Sequence, residues 1–367
     1  MSTDAALPEA PSAKPTTTEC PTPGDAVLPD VILLTRDVDD PGIDTESLPS
    51  TASKSTSFKT YSSFPVDDNV LADFPAGTNL VSATSFGKSA WTVTARLHVQ
   101  YPEGEDGHFF LKTADGDHGH TLMEGEFNAM SELYKTAPHM IPKPHSFGEY
   151  GSSDPPKYYF LSEFVPMFDK LPEPRQLCAK LAKLHTGSES PTGKFGFPIT
   201  TCQGRIPQSV SWEETWTIFF TRLLQHVIDL DAEANGDWDG LKTLGAQLIS
   251  HVVPRLLDTL SSDGRVLKPS LIHGDLWEGN TGISRDNGNI YVFDAAAFYA
   301  HNEMEIGNWR CYYNQISSRV YTETYHKYNP PSEPVDEWED RNRLYSIYYN
   351  VIYSVNHMDQ GTAVRQL

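Results

Sequence analysis

The sequence predicts an α+β fold with two lobes, a small antiparallel-sheet N-lobe followed by a larger helical C-lobe. Strand patterns with a period of two residues are concentrated before residue 164, whereas long helical patterns dominate after residue 174. The length of 367 residues also exceeds what one ordinary hydrophobic core fills. We therefore expect an N-lobe at residues 61–164 and a C-lobe at residues 165–367.

The first part of the chain has a different composition. Residues 1–60 are rich in Ser, Thr, Pro, Ala and Asp, and only Val31 to Leu34 could form a short strand. We expect a mobile N-terminal extension here, which could bind a partner or regulate the folded part.

The N-lobe prediction starts from a hairpin. In the segment from Trp91 to Val99, apolar residues alternate with polar ones, and a second strand pattern runs from His108 to Thr113. The turn-rich sequence YPEGEDG separates them. Before the first strand, the segment from Ser85 to Ser89 predicts a turn.

A helix and a further strand complete this lobe. Apolar residues between Leu122 and Tyr134 recur at helical spacing, and the apolar run from Tyr158 to Phe164 has the length of a strand. We expect the two lobes to be joined near residues 163–166.

The C-lobe patterns are mostly helical. Strand patterns return only at Ser270 to His273 and at Ile290 to Phe293. The predicted helices are Leu177 to Leu184, Trp212 to Leu230, Leu241 to Leu260 and Arg341 to Met358.

Charge and composition disfavour several classes of function. Lys and Arg number 28 against 49 Asp and Glu, a formal net charge of −21. Such a chain is a poor nucleic-acid binder and is repelled by anionic membranes. No stretch approaches the ~18 apolar residues of a membrane span. The four cysteines form no C-x-x-C pair, so we expect a reducing, cytoplasmic location.

The segment LIHGDLWEGN carries the chemistry. A short strand leads to Asp275, Asn280 follows five residues later, and the next predicted strand leads to Asp294. Protein kinases place a catalytic Asp, an Asn and a metal-binding Asp with this spacing. Mg²⁺ prefers oxygen ligands and is usually held by few side chains together with phosphate oxygens. The sequence therefore predicts a site for Mg²⁺ and a phosphate donor.

Each of these residues alone has a simpler interpretation. Asp275 and Asn280 could be turn residues, and Asp294 could cap a helix at Ala295 to Ala297. Two strands that each end in a carboxylate favour the functional interpretation. For His273, we expect hydrogen bonds to the backbone that shape the loop rather than acid–base chemistry.

A phosphate site also needs a cation. Lys112 ends a predicted strand, and the helix after it carries Glu124 and Glu126. Glu126 shares a helical stripe with Met130 and Leu133, which would direct it inward. We therefore expect Glu126 rather than Glu124 to pair with Lys112, and the alternative is an exposed Glu126.

Backbone groups could complete the nucleotide site. Gly87 and Ser89 lie in the predicted turn, where N–H groups could cover phosphates, or the turn could be a plain one. Glu163 to Val165 form the predicted link between lobes, where backbone groups can bond an adenine edge.

Two segments, HGDLWEGN and FDAAAFYAHNEMEIG, resemble the fructosamine kinase (ketosamine 3-kinase) family. This family belongs to the aminoglycoside and choline kinase-like branch of the protein-kinase fold. The resemblance extends in order over roughly residues 66 to 360, including FFLK, MEGE, IPKP and KFGF. It implies a protein-kinase-like two-lobed fold.

The resemblance also implies roles. Lys112 would bind ATP phosphates and Glu126 would hold it, while Asp275 would be the catalytic base. Asn280 and Asp294 would be Mg²⁺ ligands. Trp277 would line the sugar pocket. The implied substrates are glycated proteins or small ketoamines, which are phosphorylated by ATP on the sugar 3-hydroxyl.

The chain departs from the family pattern at several positions. Ala295 replaces a proline, Glu305 replaces an aspartate, and Val210 replaces an asparagine that could contact substrate. The preferred sugar is therefore open. Alternatives are a kinase of a free cationic metabolite, such as an aminoglycoside or choline, and a non-catalytic nucleotide-binding module.

Overall fold

A computed structural model describes residues 63–358, apart from residues 90, 169 and 237–239. The extension predicted at residues 1–60 lies outside this part of the chain. No helix within the described ranges is long and apolar enough to cross a membrane.

The first element of the architecture is a five-stranded antiparallel sheet. Its strand order is β1-β2-β3-β5-β4. The predicted hairpin is confirmed as β2 and β3, which pair from Val93 with Thr113 to Gln100 with Asp106. Its strands are β1 (Asn79–Lys88), β2 (Val93–Gln100), β3 (Asp106–Asp115), β4 (Pro144–Glu149) and β5 (Lys157–Glu163).

Each face of this sheet has its own core. Leu97, Val99 and Leu111 contribute to a small cluster on one face, together with residues of helix α1 (Asp68–Ala72). The opposite face packs against helix α2 (Gly116–Thr136), which joins the main hydrophobic core. Because side chains alternate along β3, Lys112 lies on the opposite face from Leu111 and points toward α2.

Helices make up most of the chain after residue 174. The helix predicted from Trp212 begins at Trp216 instead, because the hydroxyl of Thr215 caps it by accepting the N–H of Ile218 at 3.4 Å. The helices are α3 (Pro174–Gly187), α4 (Trp216–Asn235), α5 (Leu241–Gln247), α6 (Val253–Leu257), α7 (Glu303–Gly307), α8 (Arg319–Tyr328) and α9 (Trp338–Asn356).

The helix predicted from Leu241 to Leu260 is confirmed in extent, but it is not one regular α-helix. A π-helical turn at Leu248–Val252 separates α5 from α6, and a 3₁₀ turn follows at Asp258–Ser261. Pro254 lies in the first turn of α6 and has no N–H, so an uninterrupted ladder of hydrogen bonds cannot form across it.

Short strands in this part of the chain position the site. The expectation of only two strands here is wrong, because segments of two to four residues carry no usable periodicity. The strands pair as β11-β10-β6, β12-β9 and β7-β8. They are β6 (Met167–Phe168), β7 (Cys202–Gln203), β8 (Ile206–Pro207), β9 (Ser270–Ile272), β10 (Thr281–Ser284), β11 (Ile290–Val292) and β12 (Phe298–Ala300).

The α+β fold with a sheet-rich part before a helical part is confirmed. The lobe boundary between residues 164 and 165 remains a prediction. At that point, β5 ends at Glu163 and β6 begins at Met167, where it pairs with β10 of the C-terminal part.

Candidate active site

An open cleft of about 690 Å³ lies where the sheet, helix α2 and the segment after β11 meet. Its wall is mainly apolar and aromatic, with carboxylates at one end. The lining residues are Phe86, Phe110, Glu126, Met130, Pro142, Phe160, Ser162, Glu163, Phe164, Val165, Pro166, Met167, Phe293 and Asp294. A flat aromatic base fits such a wall, and phosphates would lie toward the charged end.

The link at residues 163–166 offers backbone groups to this cleft. The N–H of Glu163 donates to the carbonyl of Lys143 at 2.8 Å, and that of Phe164 donates to the carbonyl of His108 at 3.1 Å. Within the described ranges, the N–H of Val165 has no hydrogen-bond partner. Of the two predicted contacts, Val165 can donate a hydrogen bond, whereas Glu163 has only its carbonyl to offer.

Lys112 lies between two carboxylates. Its Nζ is 2.8 Å from Oε2 of Glu126 and 3.0 Å from Oδ1 of Asp294, and its side chain is buried. Burial alone would lower the pKa of Lys112, but Asp294 and Glu126 outweigh that effect and raise the pKa above its ordinary value. Lys112 is therefore a fixed positive charge at the polar end of the cleft.

Backbone hydrogen bonds hold the segment after β9 rigid. The carboxylate of Glu305, on α7, accepts the N–H groups of both His273 and Gly274. Gly274 has φ +82°, and a Cβ atom there would lie 2.2 Å from the carbonyl oxygen of Ala296. Only glycine satisfies both the angle and the space.

His273 joins the two loops that carry the acidic residues. Its Nδ1 accepts the N–H of Asp275 at 3.3 Å, so Nε2 carries the proton and donates to the carbonyl of Phe293 at 2.9 Å. Burial lowers the pKa of His273, which keeps the ring neutral. The predicted hydrogen bonds of His273 to the backbone are confirmed.

The carboxylate of Asp275 is held by two amides. Nδ2 of Asn280 donates to Oδ2 at 3.1 Å, and Nε2 of Gln203 donates to Oδ1 at 3.0 Å. Burial raises the pKa of Asp275 to about 7, and the charge of Asp294 acts in the same direction. The group can therefore exchange a proton near neutral pH, as a general base must.

Asp294 and Asn280 have the oxygens that a hard cation requires. Asp294 has φ +59°, which few residues other than glycine adopt, and no helix follows it, so the capping alternative is wrong. Asn280 uses its nitrogen on Asp275. Its Oδ1 has no protein partner among the described residues. Within the described ranges, no group of three or more acidic, His or Cys side chains is arranged to hold a metal ion by itself.

Two predicted site residues, Gly87 and Ser89, lie differently from expectation. Gly87 is part of strand β1 and pairs with Thr94, so it is not in a turn. Ser89 is in the turn, but its N–H donates to the carbonyl of Thr92 at 2.9 Å and is not free for phosphate. Trp277 packs its ring over Gly279, where a Cβ would lie 2.3 Å from the ring, and its role in a sugar pocket stays a prediction.

The structure therefore brings Lys112, Glu126 and Asp294 into one cluster, and Asp275 and Asn280 into a second. His273 connects the two clusters through the backbone. Sequence reasoning missed Gln203, because a single glutamine in a two-residue strand carries no pattern. It also missed the contact between Lys112 and Asp294, which lie 182 positions apart.

Comparison with known proteins shows the family of this chain. The family model for fructosamine kinase matches residues 87–362. The chain belongs to the fructosamine kinase family. It is therefore a kinase, an enzyme that uses ATP to phosphorylate a hydroxyl group.

Relatives of this fructosamine kinase family member come from plants and animals. The chain is 28% identical to the chloroplastic protein-ribulosamine 3-kinase of Arabidopsis thaliana, over 66% of this chain and 69% of that protein. The corresponding rice protein (Oryza sativa subsp. japonica) is 30% identical, over 66% of this chain and 65% of its own length. The ketosamine-3-kinase of Mus musculus is 26% identical, over 70% of this chain and 85% of that protein.

Solved structures share the fold. A protein of Thermobifida fusca assigned as a fructosamine-3-kinase has a TM-score of 0.62 at 20% identity, covering 82% of this chain and 94% of that one. One from Haemophilus somnus has a TM-score of 0.62 at 19% identity, covering 80% of this chain and 90% of that one. The kinase-like fold expected from the sequence is thus confirmed.

Proposed function

We propose that this kinase phosphorylates the 3-hydroxyl of ketosamines, which are sugars joined to an amine as a ketoamine. The observation that carries the proposal is the doubly held carboxylate of Asp275, connected through His273 to the loop of Asp294. The relatives named as ribulosamine and ketosamine kinases support this substrate class.

Each cluster has a chemical task in the proposed mechanism. The adenine would lie in the aromatic cleft against the N–H of Val165. Lys112, held by Glu126, would neutralise charge on the phosphates. Asp275 would accept a hydrogen bond from the sugar hydroxyl, orient it toward the phosphoryl group and take its proton.

We propose that Asn280 and Asp294 hold Mg²⁺. The unpartnered Oδ1 of Asn280 and the partly exposed carboxylate of Asp294 fit a cation that prefers oxygen ligands. When bound, the ion would stabilise negative charge on the transferring phosphoryl group.

The acceptor would be a sugar bound to a protein amine or to a small amine. Ribulosamine and erythrulosamine are better candidates than fructosamine. A 3-phosphorylated ketosamine is unstable and releases its amine, so the reaction would repair glycated protein. We infer a cytoplasmic location on the basis of the cysteine pattern. The acidic charge supports the absence of nucleic-acid and membrane partners.

Mass spectrometry of a ribosylated carrier protein tests the substrate class. Incubation with the enzyme, ATP and Mg²⁺ should add a phosphoryl group to ribulosamine and then regenerate free lysine. Omitting Mg²⁺ should stop both changes. ATP consumption with choline or an aminoglycoside, but none with ribulosamine, would favour a kinase of free metabolites and contradict the proposal.

A further inference from the structure

We propose that Gln203 is a positioning residue for the catalytic base, acting on the phosphoryl-transfer step through Asp275. This inference rests on the proposed function, because it assigns Asp275 the role of base. Gln203 lies in strand β7, 72 positions before Asp275, so no local sequence motif connects the two.

The first support is the geometry around the carboxylate. Asn280 donates to Oδ2 and Gln203 donates to Oδ1, so each oxygen of Asp275 has its own amide. An ionised carboxylate only accepts hydrogen bonds, and the structure turns the amide nitrogen of Gln203 toward it. Without Gln203, the carboxylate would keep one anchor and could rotate about its own side chain.

The second support is the unsatisfied end of the same amide. The side chain of Gln203 is buried, and within the described ranges its Oε1 has no hydrogen-bond partner. A buried polar atom without a partner costs free energy, so native proteins keep few of them. The cost of this oxygen offsets part of what the hydrogen bond from Nε2 to Asp275 contributes to stability, and that bond is directed at the base.

A nearby glutamine shows the contrasting, structural arrangement. Gln208 follows β8, and its Nε2 donates to the carbonyl of Ala296 at 2.9 Å and to the hydroxyl of Thr201 at 3.0 Å. Its Oε1 accepts the hydroxyl of Tyr348 at 2.6 Å. Both ends of Gln208 are satisfied by protein, and it does not touch Asp275.

The hairpin that carries Gln203 is anchored to the last turn of α9. Asn356 donates from Nδ2 to the carbonyl of Gln203 at 3.1 Å, and its Oδ1 accepts the N–H of Arg205 at 3.1 Å. Gly204 has φ +57°, and a Cβ there would lie 2.8 Å from Oδ1 of Asn356. This glycine allows the tight turn, and the anchor fixes where the Gln203 amide lies.

A double-mutant cycle in the full chain tests the proposal, with Gln203→Met and Asp275→Asn as the two changes. Methionine keeps the length of the side chain and removes the donor. We expect Gln203→Met alone to lower kcat for ribulosamine by about 10- to 100-fold, with KM for ATP unchanged. Asp275→Asn alone should lower kcat by about 10²- to 10⁴-fold. In that background, adding Gln203→Met should change kcat by less than about twofold.

Thermal unfolding distinguishes a positioning role from a structural one, because loss of a structural residue lowers the Tm. Gln203→Met removes an unsatisfied buried oxygen but also one of the two amide donors to Asp275. These two effects on stability oppose each other, so the Tm should stay close to that of the natural chain. The control Gln208→Met breaks satisfied hydrogen bonds and should lower the Tm. Any change that it causes in kcat should be the same factor in the natural chain and in the Asp275→Asn variant.

The outcomes separate this inference from the proposed function. If the natural chain does not phosphorylate ribulosamine, the proposed function fails. If it does, but Gln203→Met costs as much in the Asp275→Asn background as alone, Gln203 does not act through Asp275. A lowered Tm with an unchanged kcat would also overturn the inference.

Discussion

At the scale of single residues, the site depends on backbone conformations that most amino acids avoid. Gly274 and Asp294 both have positive φ and lie at the ends of the two loops joined by His273. A cost in backbone energy at such positions persists only where surrounding contacts impose the conformation. Glu305 does this for Gly274 by accepting its N–H.

Gly274→Ala should therefore destabilise the protein strongly. The new Cβ would lie 2.2 Å from a carbonyl oxygen, in addition to the penalty for positive φ. We expect a loss of roughly 3–4 kcal/mol in the free energy of unfolding, measured by urea denaturation.

Gly288→Ala is the matched control. Gly288 has φ +69° but nothing within 4 Å of the position of a Cβ, so only the conformational penalty of about 1 kcal/mol applies. Equal losses for the two substitutions would show that crowding by Ala296 has no energetic importance.

At the scale of elements, helix α2 places a negative charge opposite strand β3. Its buried stripe includes Met123, Glu126, Met130 and Leu133, and Glu126 is the charged member of that stripe. Glu124 is two positions away and lies outside the stripe, where it faces His120 at 3.7 Å. The choice of Glu126 over Glu124 as the partner of Lys112 is borne out by the 2.8 Å contact.

Glu126→Gln should lower kcat/KM for ATP by about 10- to 100-fold, because the ammonium of Lys112 would shift toward Asp294. Steady-state kinetics with varied ATP measures this change. Glu124→Gln, on the same helix, should leave kcat/KM within about twofold of the natural value. Similar losses in both variants would mean that the helix, not the ion pair, is responsible.

At the scale of the whole molecule, buried neutral histidines couple stability to pH. His301 is fully buried between the hydroxyls of Tyr345 at 2.8 Å and Ser332 at 2.9 Å, and burial lowers its pKa to about 4. In the unfolded chain its pKa is ordinary, about 6.5. The unfolded state therefore binds more protons between these values, and stability falls as pH decreases through that window.

The expected loss from His301 between pH 7 and pH 4 is roughly 3 kcal/mol, with His273 acting in the same direction. Chemical denaturation at several pH values measures the slope. His301→Asn should flatten it, whereas His251→Asn, at an exposed position, should not. An unchanged slope in His301→Asn would mean that this ring does not drive the pH dependence.

Long elements of this fold could be predicted because their patterns extend over many residues. Helices α2 and α9 each repeat an apolar stripe over several turns, and the alternation in β2 and β3 predicts a hairpin. Strands β7 and β12 have two or three residues, and their pairing depends on distant segments, so sequence patterns cannot reveal them.

The same distinction applies to the site. Asp275 and Asn280 are five positions apart, so one loop brings them together, and their spacing was informative. Lys112 and Asp294 meet only because the sheet and the β11 segment pack around one cleft. Contacts of this kind are set by tertiary packing, which local sequence does not encode.

The link between β5 and β6 consists of only three residues, Phe164, Val165 and Pro166, and all three line the cleft. We infer that a rotation of the sheet relative to the helical part would be absorbed there, where the proline ring restricts one of the few torsions available. A nucleotide in the cleft would contact all three of these residues. Binding of the nucleotide would then also restrict rotation about these three residues.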